Sequence, residues 1–429
     1  MSKRNVLVFP CGSEIGLEVH KAVSLSTHFE LFGGSSVEDH GMFVYKNYID
    51  GMPFVDDPDF LEKINKIIEA HSIDLIIPAH DSVVLKLAEA KAADSLRCEV
   101  VTSPVETCEI TRSKLRTYEH FKDVLPTPRI FKDVSEVAEV DLPVFLKPEI
   151  GQGSKGTQLA KTFEDIEFYT KKDPSLLLLE YLPGKEYTID CFTNKEGALI
   201  FCEGRERQRI ANGISVNSVT VSDERFTSLA TIINEKLKFR GVWFFQVKET
   251  TDKELVLMEI APRIAGTMGL VRNKGVNLPL LSLFDAVGMD VSIFENNYRM
   301  VIDRALENVY QHDITYQHVY LDLDDVVIYE DKVNPRVMAF VYQCLNKGIK
   351  VHLLTRHKDD LTATLEHYRL TGVFDELLWI QNDDEKHSLI TEKAAIFIDD
   401  SFAERKKVYD EHGIPVFDAH MLEGLMEKF

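Results

Sequence analysis

Continuous apolar runs alternate with amphipathic segments in the N-terminal part of the chain. Asn5–Phe9 and Asp74–Pro78 contain unbroken apolar stretches, as expected of parallel strands buried on both faces. Phe60–Ala70 instead carries its apolar residues at helical spacing. We therefore predict a Rossmann-like, doubly wound α/β domain over residues 1–105.

The pattern changes over residues 106–312 and changes back after residue 316. In the middle region few helical segments separate the strand-like runs, so we predict an antiparallel α+β domain. From residue 316 onward strands again alternate with helical segments, which predicts a second doubly wound parallel α/β domain over 316–429. The predicted strands are Val144–Pro148, Leu176–Tyr181, Tyr187–Phe192, Gly241–Lys248, Glu254–Glu259, Val351–Thr355 and Ala395–Asp399.

Composition narrows the class of protein. The chain has 429 residues, enough for two or three domains, and its 45% hydrophobic and 28% charged content is typical of globular proteins. A net charge of −21 disfavours a nucleic-acid partner, and no apolar run is long enough to span a membrane. Six scattered cysteines without a CxxC motif indicate neither a zinc site nor a disulfide framework. We expect a cytoplasmic protein.

A glycine-rich loop follows the strand that ends at Lys147. Its glycines, with Gly153 at the centre, would let backbone N–H groups close over phosphates, and Ser154 and Lys155 lie at its tip. A plain hairpin would explain the loop alone. The chain also carries residues suited to a nucleotide further on: Glu180, Leu182 and Glu186 in one hinge segment, Gln246 and Glu259 on consecutive strands that could form a hairpin, and Arg263 after them.

Together these residues resemble the ATP-grasp superfamily over residues 1 to about 310, with residues 1–105 similar to a pre-ATP-grasp domain. The resemblance implies an ATP-grasp fold that binds ATP and Mg²⁺. It implies that Lys114 and Lys147 contact the nucleotide phosphates, and that Glu259 and Gln246 hold the metal. Glu180, Leu182 and Glu186 would contact adenine and ribose. Arg263 would hold the transferring phosphoryl group.

The chain departs from this family at position 261. Many members have Glu-x-Asn-x-Arg where this chain has Glu259-Ile-Ala-Pro-Arg263, and an alanine cannot ligate a second magnesium. Water, another carboxylate or a single-metal mode would have to substitute.

Two groups of residues are candidates for the acceptor site. Arg205, Arg207 and Arg209 alternate along a predicted strand, so their side chains would share one face, either solvated or gripping a carboxylate substrate. His80 and Asp81 follow the Leu75–Pro78 strand, at the edge where α/β sheets bind ligands, although Asp81 could instead cap a helix.

Carboxylates cluster at predicted strand ends in the C-terminal region. Asp322 and Asp324 follow one strand, and a period of two would place them on the same side. Thr355 ends the next strand, Lys386 begins a helix, and Asp399 and Asp400 end another strand. We expect these groups to converge on one crevice.

This set resembles the haloacid dehalogenase (HAD) superfamily, and the short intervals between its motifs imply a capless member. The resemblance implies Asp322 as nucleophile, Asp324 as general acid–base, and Thr355 and Lys386 as phosphate-binding groups. Asp399, with Asp322 and Asp324, would hold Mg²⁺. Lys393 is a rival for the lysine role, and a degenerate domain kept for packing is the alternative.

The two resemblances imply a bifunctional enzyme. An ATP-dependent ligase would activate a carboxylate as an acyl-phosphate for attack by an amine, and a phosphatase would act on a phosphorylated metabolite of the same pathway. The alternatives are an ATP-grasp kinase that releases a phosphorylated product, and a non-catalytic ATP sensor with a structural HAD domain. A homodimer is compatible with each of these three functions.

Overall fold

The chain divides into two compact units, Met1–Leu306 and Glu307–Phe429, in a computed structural model that describes residues 3–151, 153, 155–211 and 213–427. None of the described helices has the length and apolar character needed to cross a membrane.

The first unit opens with a five-stranded parallel sheet of order β3-β2-β1-β4-β5. Strands and helices alternate, and Phe60–Ala70 is helical with the bounds that its pattern predicts. Because the strand order reverses at β1, the loops after β1 and β4 meet at the crevice where such sheets bind ligands. The elements are β1 Arg4–Phe9, α1 Glu14–Val23, β2 Phe29–Gly34, α2 Gly41–Val44, β3 Asn47–Ile49, α3 Phe60–Ala70, β4 Leu75–Pro78, α4 Asp81–Ala92, β5 Glu99–Val100, α5 Val105–Arg112 and α6 Lys114–Phe121.

A four-stranded antiparallel sheet of order β6-β9-β7-β8 follows, covered by one helix. Val144, Leu146 and Leu178 of its strands pack against Ile166 of that helix. The loop between β7 and β8 is the glycine-rich segment. The elements are β6 Ile130–Phe131, β7 Val144–Pro148, β8 Gln158–Ala160, α7 Phe163–Lys172 and β9 Leu176–Glu180.

The rest of the first unit is a six-stranded antiparallel sheet of order β14-β13-β10-β11-β12-β15. One face packs Trp243, Phe245 and Ile260 against α8, while Phe244 and Ala261 on the other face join the core of the N-terminal sheet. The predicted antiparallel α+β region is confirmed. The elements are β10 Glu186–Thr193, β11 Leu199–Ala211, β12 Ile214–Val221, α8 Glu224–Lys236, β13 Gly241–Glu249, β14 Leu255–Ala261, α9 Gly269–Asn273, α10 Leu278–Ala286 and β15 Val301–Asp303.

The second unit is a five-stranded parallel sheet of order β20-β19-β16-β21-β22, so its strand order also reverses at the first strand. A small hairpin, β17–β18, follows β16, and a short 3₁₀ helix begins at Lys386. The predicted parallel α/β architecture is confirmed. The elements are β16 His318–Leu321, β17 Ile328–Tyr329, β18 Lys332–Val333, α11 Pro335–Asn346, β19 Lys350–Thr355, α12 Leu361–His367, β20 Glu376–Trp379, β21 Ala395–Ile398, α13 Phe402–His412 and β22 Val416–Phe417.

Candidate functional sites

A cleft lies in the first unit between the four-stranded and six-stranded sheets. Most residues predicted to bind a nucleotide line it: Lys114, Lys147, Gly153, Lys155, Glu180, Leu182, Glu186, Gln246 and Glu259. Gly153 has a positive φ of 58°, a conformation that favours glycine. Ser154 lies outside the described residues.

Gln246 and Glu259 lie directly opposite each other on the antiparallel pair β13–β14. Opposed residues of such a pair project to the same face, so the amide and carboxylate oxygens point into the cleft together. Hard oxygen donors of this kind are the ligands that Mg²⁺ prefers. The pairing confirms that these two strands form a hairpin, and the donor set fits one magnesium ion.

Lys147 is buried at the end of β7. Its Nζ donates a 2.6 Å hydrogen bond to the Tyr118 hydroxyl, which donates in turn to the Met258 carbonyl at 2.8 Å. Burial, reinforced by the nearby charge of Lys114, lowers the pKa of Lys147 to about 7. Burial also lowers the pKa of Lys114, whose Nζ donates to the Gly151 carbonyl at 3.1 Å. An anion bound in the cleft would raise the pKa of both lysines again, because it favours their charged form.

Arg207 reaches the same cleft from β11 and forms an ion pair with Glu186. Its guanidinium also donates to the Gln246 side-chain carbonyl at 3.3 Å and to the Gly213 carbonyl at 2.9 Å. The charge of Glu186, which is predicted to contact ribose, is therefore partly neutralised by Arg207, which also contacts the predicted metal ligand Gln246. The Glu180 carboxylate accepts a hydrogen bond from the Arg129 backbone N–H at 2.9 Å.

The three alternating arginines do not form the predicted cluster. Arg205 is buried in an ion pair with Asp190 and donates to Thr267, whereas Arg209 is 59% exposed and pairs with Asp303. The β11–β12 register shifts between Arg207 and Arg209, because an extra residue in β11 interrupts the alternation of side chains. Of the three, Arg207 lines the cleft.

A smaller cavity adjoins the cleft on the side of the N-terminal sheet. There Arg263 donates to both carboxylate oxygens of Asp81, at 2.6 and 2.8 Å. Burial alone would raise the pKa of Asp81, but the Arg263 charge outweighs it and the pKa is lowered. The residue that caps α4 is His80 rather than Asp81, since its ring accepts from the Ser82 N–H. Two separately predicted groups thus meet in one ion pair.

In the second unit, four predicted residues meet at the carboxyl edge of the parallel sheet. Lys386 Nζ lies 3.0 Å from Asp322 Oδ1 and 2.6 Å from Asp399 Oδ2, and all three side chains are buried. Thr355 is fully buried, and its hydroxyl accepts from the His357 N–H at 3.1 Å. Burial raises the pKa of Asp322, and the two carboxylates outweigh burial to raise the pKa of Lys386. The two carboxylates therefore favour the charged form of Lys386. Lys393 is exposed.

Asp400, rather than Asp324, completes the group of carboxylates that could hold a metal. Ligand oxygens of Asp322, Asp399 and Asp400 all lie within 4.8 Å of one another, a donor set that fits Mg²⁺. Asp324 is half exposed and its carboxylate lies 2.9 Å from His357 Nδ1. The same-side prediction for Asp322 and Asp324 rests on strand periodicity, and β16 ends at Leu321, so that periodicity does not reach them.

Tyr118 and His357 are absent from the predicted site. Tyr118 lies on the amphipathic helix α6, where an aromatic residue is typical of a core position. His357 lies in the loop two residues after Thr355, and its Nε2 is 2.8 Å from the Thr364 hydroxyl. A titratable residue just beyond a predicted site strand was the available signal for His357. The sequence offered no comparable signal for Tyr118.

Comparisons with known proteins agree with the geometry of the first unit. Residues 172–306 match the family described as ATP-grasp in the biosynthetic pathway with Ter operon. No curated protein matches the chain in sequence.

Three solved structures show the similarity in fold. The first is the biotin carboxylase domain of the Hydrogenobacter thermophilus 2-oxoglutarate carboxylase, a dimer in complex with MgADP, ADP and bicarbonate. Its TM-score is 0.58 and its sequence identity 16%, and the match covers 70% of this chain and 74% of that chain. The second is the L-amino acid ligase from Bacillus licheniformis, with a TM-score of 0.53 and 14% identity, over 67% of this chain and 74% of that chain. The third is the ADP complex of purK, an N5-carboxyaminoimidazole ribonucleotide synthetase, with a TM-score of 0.57 and 14% identity, over 70% of this chain and 80% of that chain. The protein is a mixed α/β multidomain protein with an ATP-grasp-like fold.

Proposed function

We propose that the first unit is an ATP-dependent ligase that joins a small-molecule carboxylate to an amine. The observation that carries this proposal is the cleft in which buried Lys147 and Lys114 face the opposed pair Gln246 and Glu259. Titratable groups with perturbed pKa values in one cleft are typical of functional sites. The solved relatives support the same assignment, since their structures include an amino acid ligase and two proteins with bound ADP.

The residues of the cleft suit the transfer of a phosphoryl group. Lys114, Lys147 and the loop around Gly153 would hold the phosphates of ATP, and Gln246 and Glu259 would hold Mg²⁺, which neutralises phosphate charge when bound. A carboxylate oxygen of the substrate takes the γ-phosphoryl group and ADP leaves. An amine then attacks the acyl carbon and inorganic phosphate leaves, so that the amide, ADP and phosphate are the products.

We propose that the second unit is a HAD-type phosphatase acting on a phosphorylated metabolite of the same pathway. A carboxylate oxygen of Asp322 would attack phosphorus while Asp324 gives a proton to the leaving oxygen, and water would then release phosphate from Asp322. Lys386 would bind the phosphoryl oxygens. Asp322, Asp399 and Asp400 would hold Mg²⁺, which screens the charge of the incoming phosphate. The buried contacts of Lys386 with Asp322 and Asp399 support this assignment.

The two activities are separable by single substitutions in the full-length chain. ADP release is measured with ATP and a panel of acids and amines, and phosphate release is measured with p-nitrophenyl phosphate. Lys147→Ala should abolish ADP formation and leave ester hydrolysis intact, and Asp322→Asn should do the reverse. Exposed Lys171→Ala and Asp383→Asn are matched controls. Absence of ADP above background across the panel would reject the ligase, and hydrolysis retained in Asp322→Asn would reject the phosphatase mechanism.

A further inference from the structure

The number of metal ions at the nucleotide cleft follows from the side chains along one face of β13 and β14. Gln246 and Glu259 form one opposed pair with two oxygen-bearing groups. The next pair on the same face, two residues along each strand, is Phe244 opposite Ala261. A second ion beside Glu259 would have this pair as its neighbour.

Phe244 and Ala261 offer a second ion no ligand atom. Their exposed fractions are 3% and 6%, and both side chains belong to the apolar core shared with the N-terminal sheet. A divalent cation such as Mg²⁺ gives up its bound water only in exchange for oxygen ligands. An aromatic ring and a methyl group provide none, so they disfavour an ion at this position. The pair Phe244 and Ala261 is therefore apolar, whereas the neighbouring pair Gln246 and Glu259 is polar.

The charged groups beside Phe244 form a closed ion pair. The guanidinium carbon of Arg263 lies 5.1 Å from the centroid of the Phe244 ring. Asp81 holds the guanidinium through two hydrogen bonds, so the Asp81 carboxylate is already committed. Across the part of the chain that the structure describes, the one group of three acidic or imidazole ligands within 4.8 Å lies in the second unit, at Asp322, Asp399 and Asp400.

We propose that the nucleotide cleft takes a single divalent cation, held by Gln246 and Glu259, and that Ala261 with Phe244 excludes a second ion. Arg263 supplies the positive charge on that side of the phosphates. This inference rests on the proposed nucleotide site and specifies its metal stoichiometry.

The experiment counts Mn²⁺ ions by electron paramagnetic resonance of the free ion, in the full-length protein with and without the non-hydrolysable analogue adenylyl imidodiphosphate. An Asp399→Asn background weakens the second unit's own metal site, and the count is the difference caused by the analogue. We expect one analogue-dependent Mn²⁺ per chain. Two ions would overturn the single-metal proposal, while failure of the analogue to bind at all would reject the proposed nucleotide site itself.

Substitutions at position 261 test whether this residue limits the number of bound divalent cations. Ala261→Asn adds an oxygen ligand and should raise the count from one to two, whereas Ala261→Leu has a similar size, lacks the oxygen and should stay at one. Thermal unfolding of both variants confirms that they fold. A folded Ala261→Asn variant that still binds one ion would overturn the assignment of the limit to position 261.

Discussion

The Lys147 ammonium is held by the hydroxyl of Tyr118, at 2.6 Å, and that hydroxyl is fixed in turn by the Met258 carbonyl. Met258 immediately precedes Glu259, so one phenol joins the predicted phosphate-binding lysine to the strand that bears the predicted metal ligand. The Tyr118 side chain is buried and does not itself line the cleft. Tyr118 is therefore a positioning residue.

Tyr118→Phe should weaken binding of the non-hydrolysable ATP analogue. A hydrogen bond to a charged group contributes about 1.5–3 kcal/mol, and the loss of this one should weaken binding about tenfold. Isothermal titration calorimetry measures the dissociation constant. Tyr342→Phe, an exposed tyrosine in the second unit, is the control and should bind as wild type does. Equal affinity for Tyr118→Phe and wild type would show that Tyr118 has no positioning role.

Nucleotide binding should be coupled to proton uptake at Lys147. Burial lowers the pKa of Lys147 to about 7 in the free protein, and nearby phosphates would raise it again because they favour the charged form. Between these two pKa values the bound state carries more protons than the free state, so affinity should fall as the pH rises above 7. Calorimetry in two buffers of different ionisation enthalpy measures the uptake. The Lys147→Met variant should take up fewer protons on nucleotide binding than the wild type. An unchanged proton uptake would assign the proton to another group.

How much the sequence predicts depends on how local each feature is. The glycine loop follows a regular strand, the hinge begins where another strand ends at Glu180, and the pair Gln246 and Glu259 lies on two paired strands. Regular strands therefore carry the geometry of these features into the fold. Strand periodicity is a poor guide where regular structure ends. A register shift separates Arg207 from Arg209, and β16 ends at Leu321, before both Asp322 and Asp324. Contacts between distant segments, such as Arg263 with Asp81, leave no trace in a local pattern.

Lys386 should be required for both stability and ester hydrolysis in the second unit. Its ammonium lies between the buried carboxylates of Asp322 and Asp399, and removal of one partner from a buried charge cluster costs about 3–5 kcal/mol. Lys386→Met should therefore lower the free energy of unfolding in urea and abolish hydrolysis of p-nitrophenyl phosphate. Lys393→Met, at an exposed position, should change neither. Loss of hydrolysis in Lys393→Met alone would transfer the lysine role to that residue.

His357 should matter most for esters whose leaving group needs a proton. Its Nδ1 lies 2.9 Å from one Asp324 oxygen, and the Thr364 hydroxyl at 2.8 Å from Nε2 fixes the ring. A general acid contributes about 10²- to 10⁴-fold, and a misplaced one should lose part of this, about tenfold. His357→Asn should thus slow hydrolysis of an alkyl phosphate about tenfold and leave p-nitrophenyl phosphate nearly unaffected, because nitrophenolate leaves without a proton. Asp324→Asn should show the same selectivity with a larger loss. Equal losses on the two esters in His357→Asn would mean that His357 acts on the fold of the loop and not through Asp324.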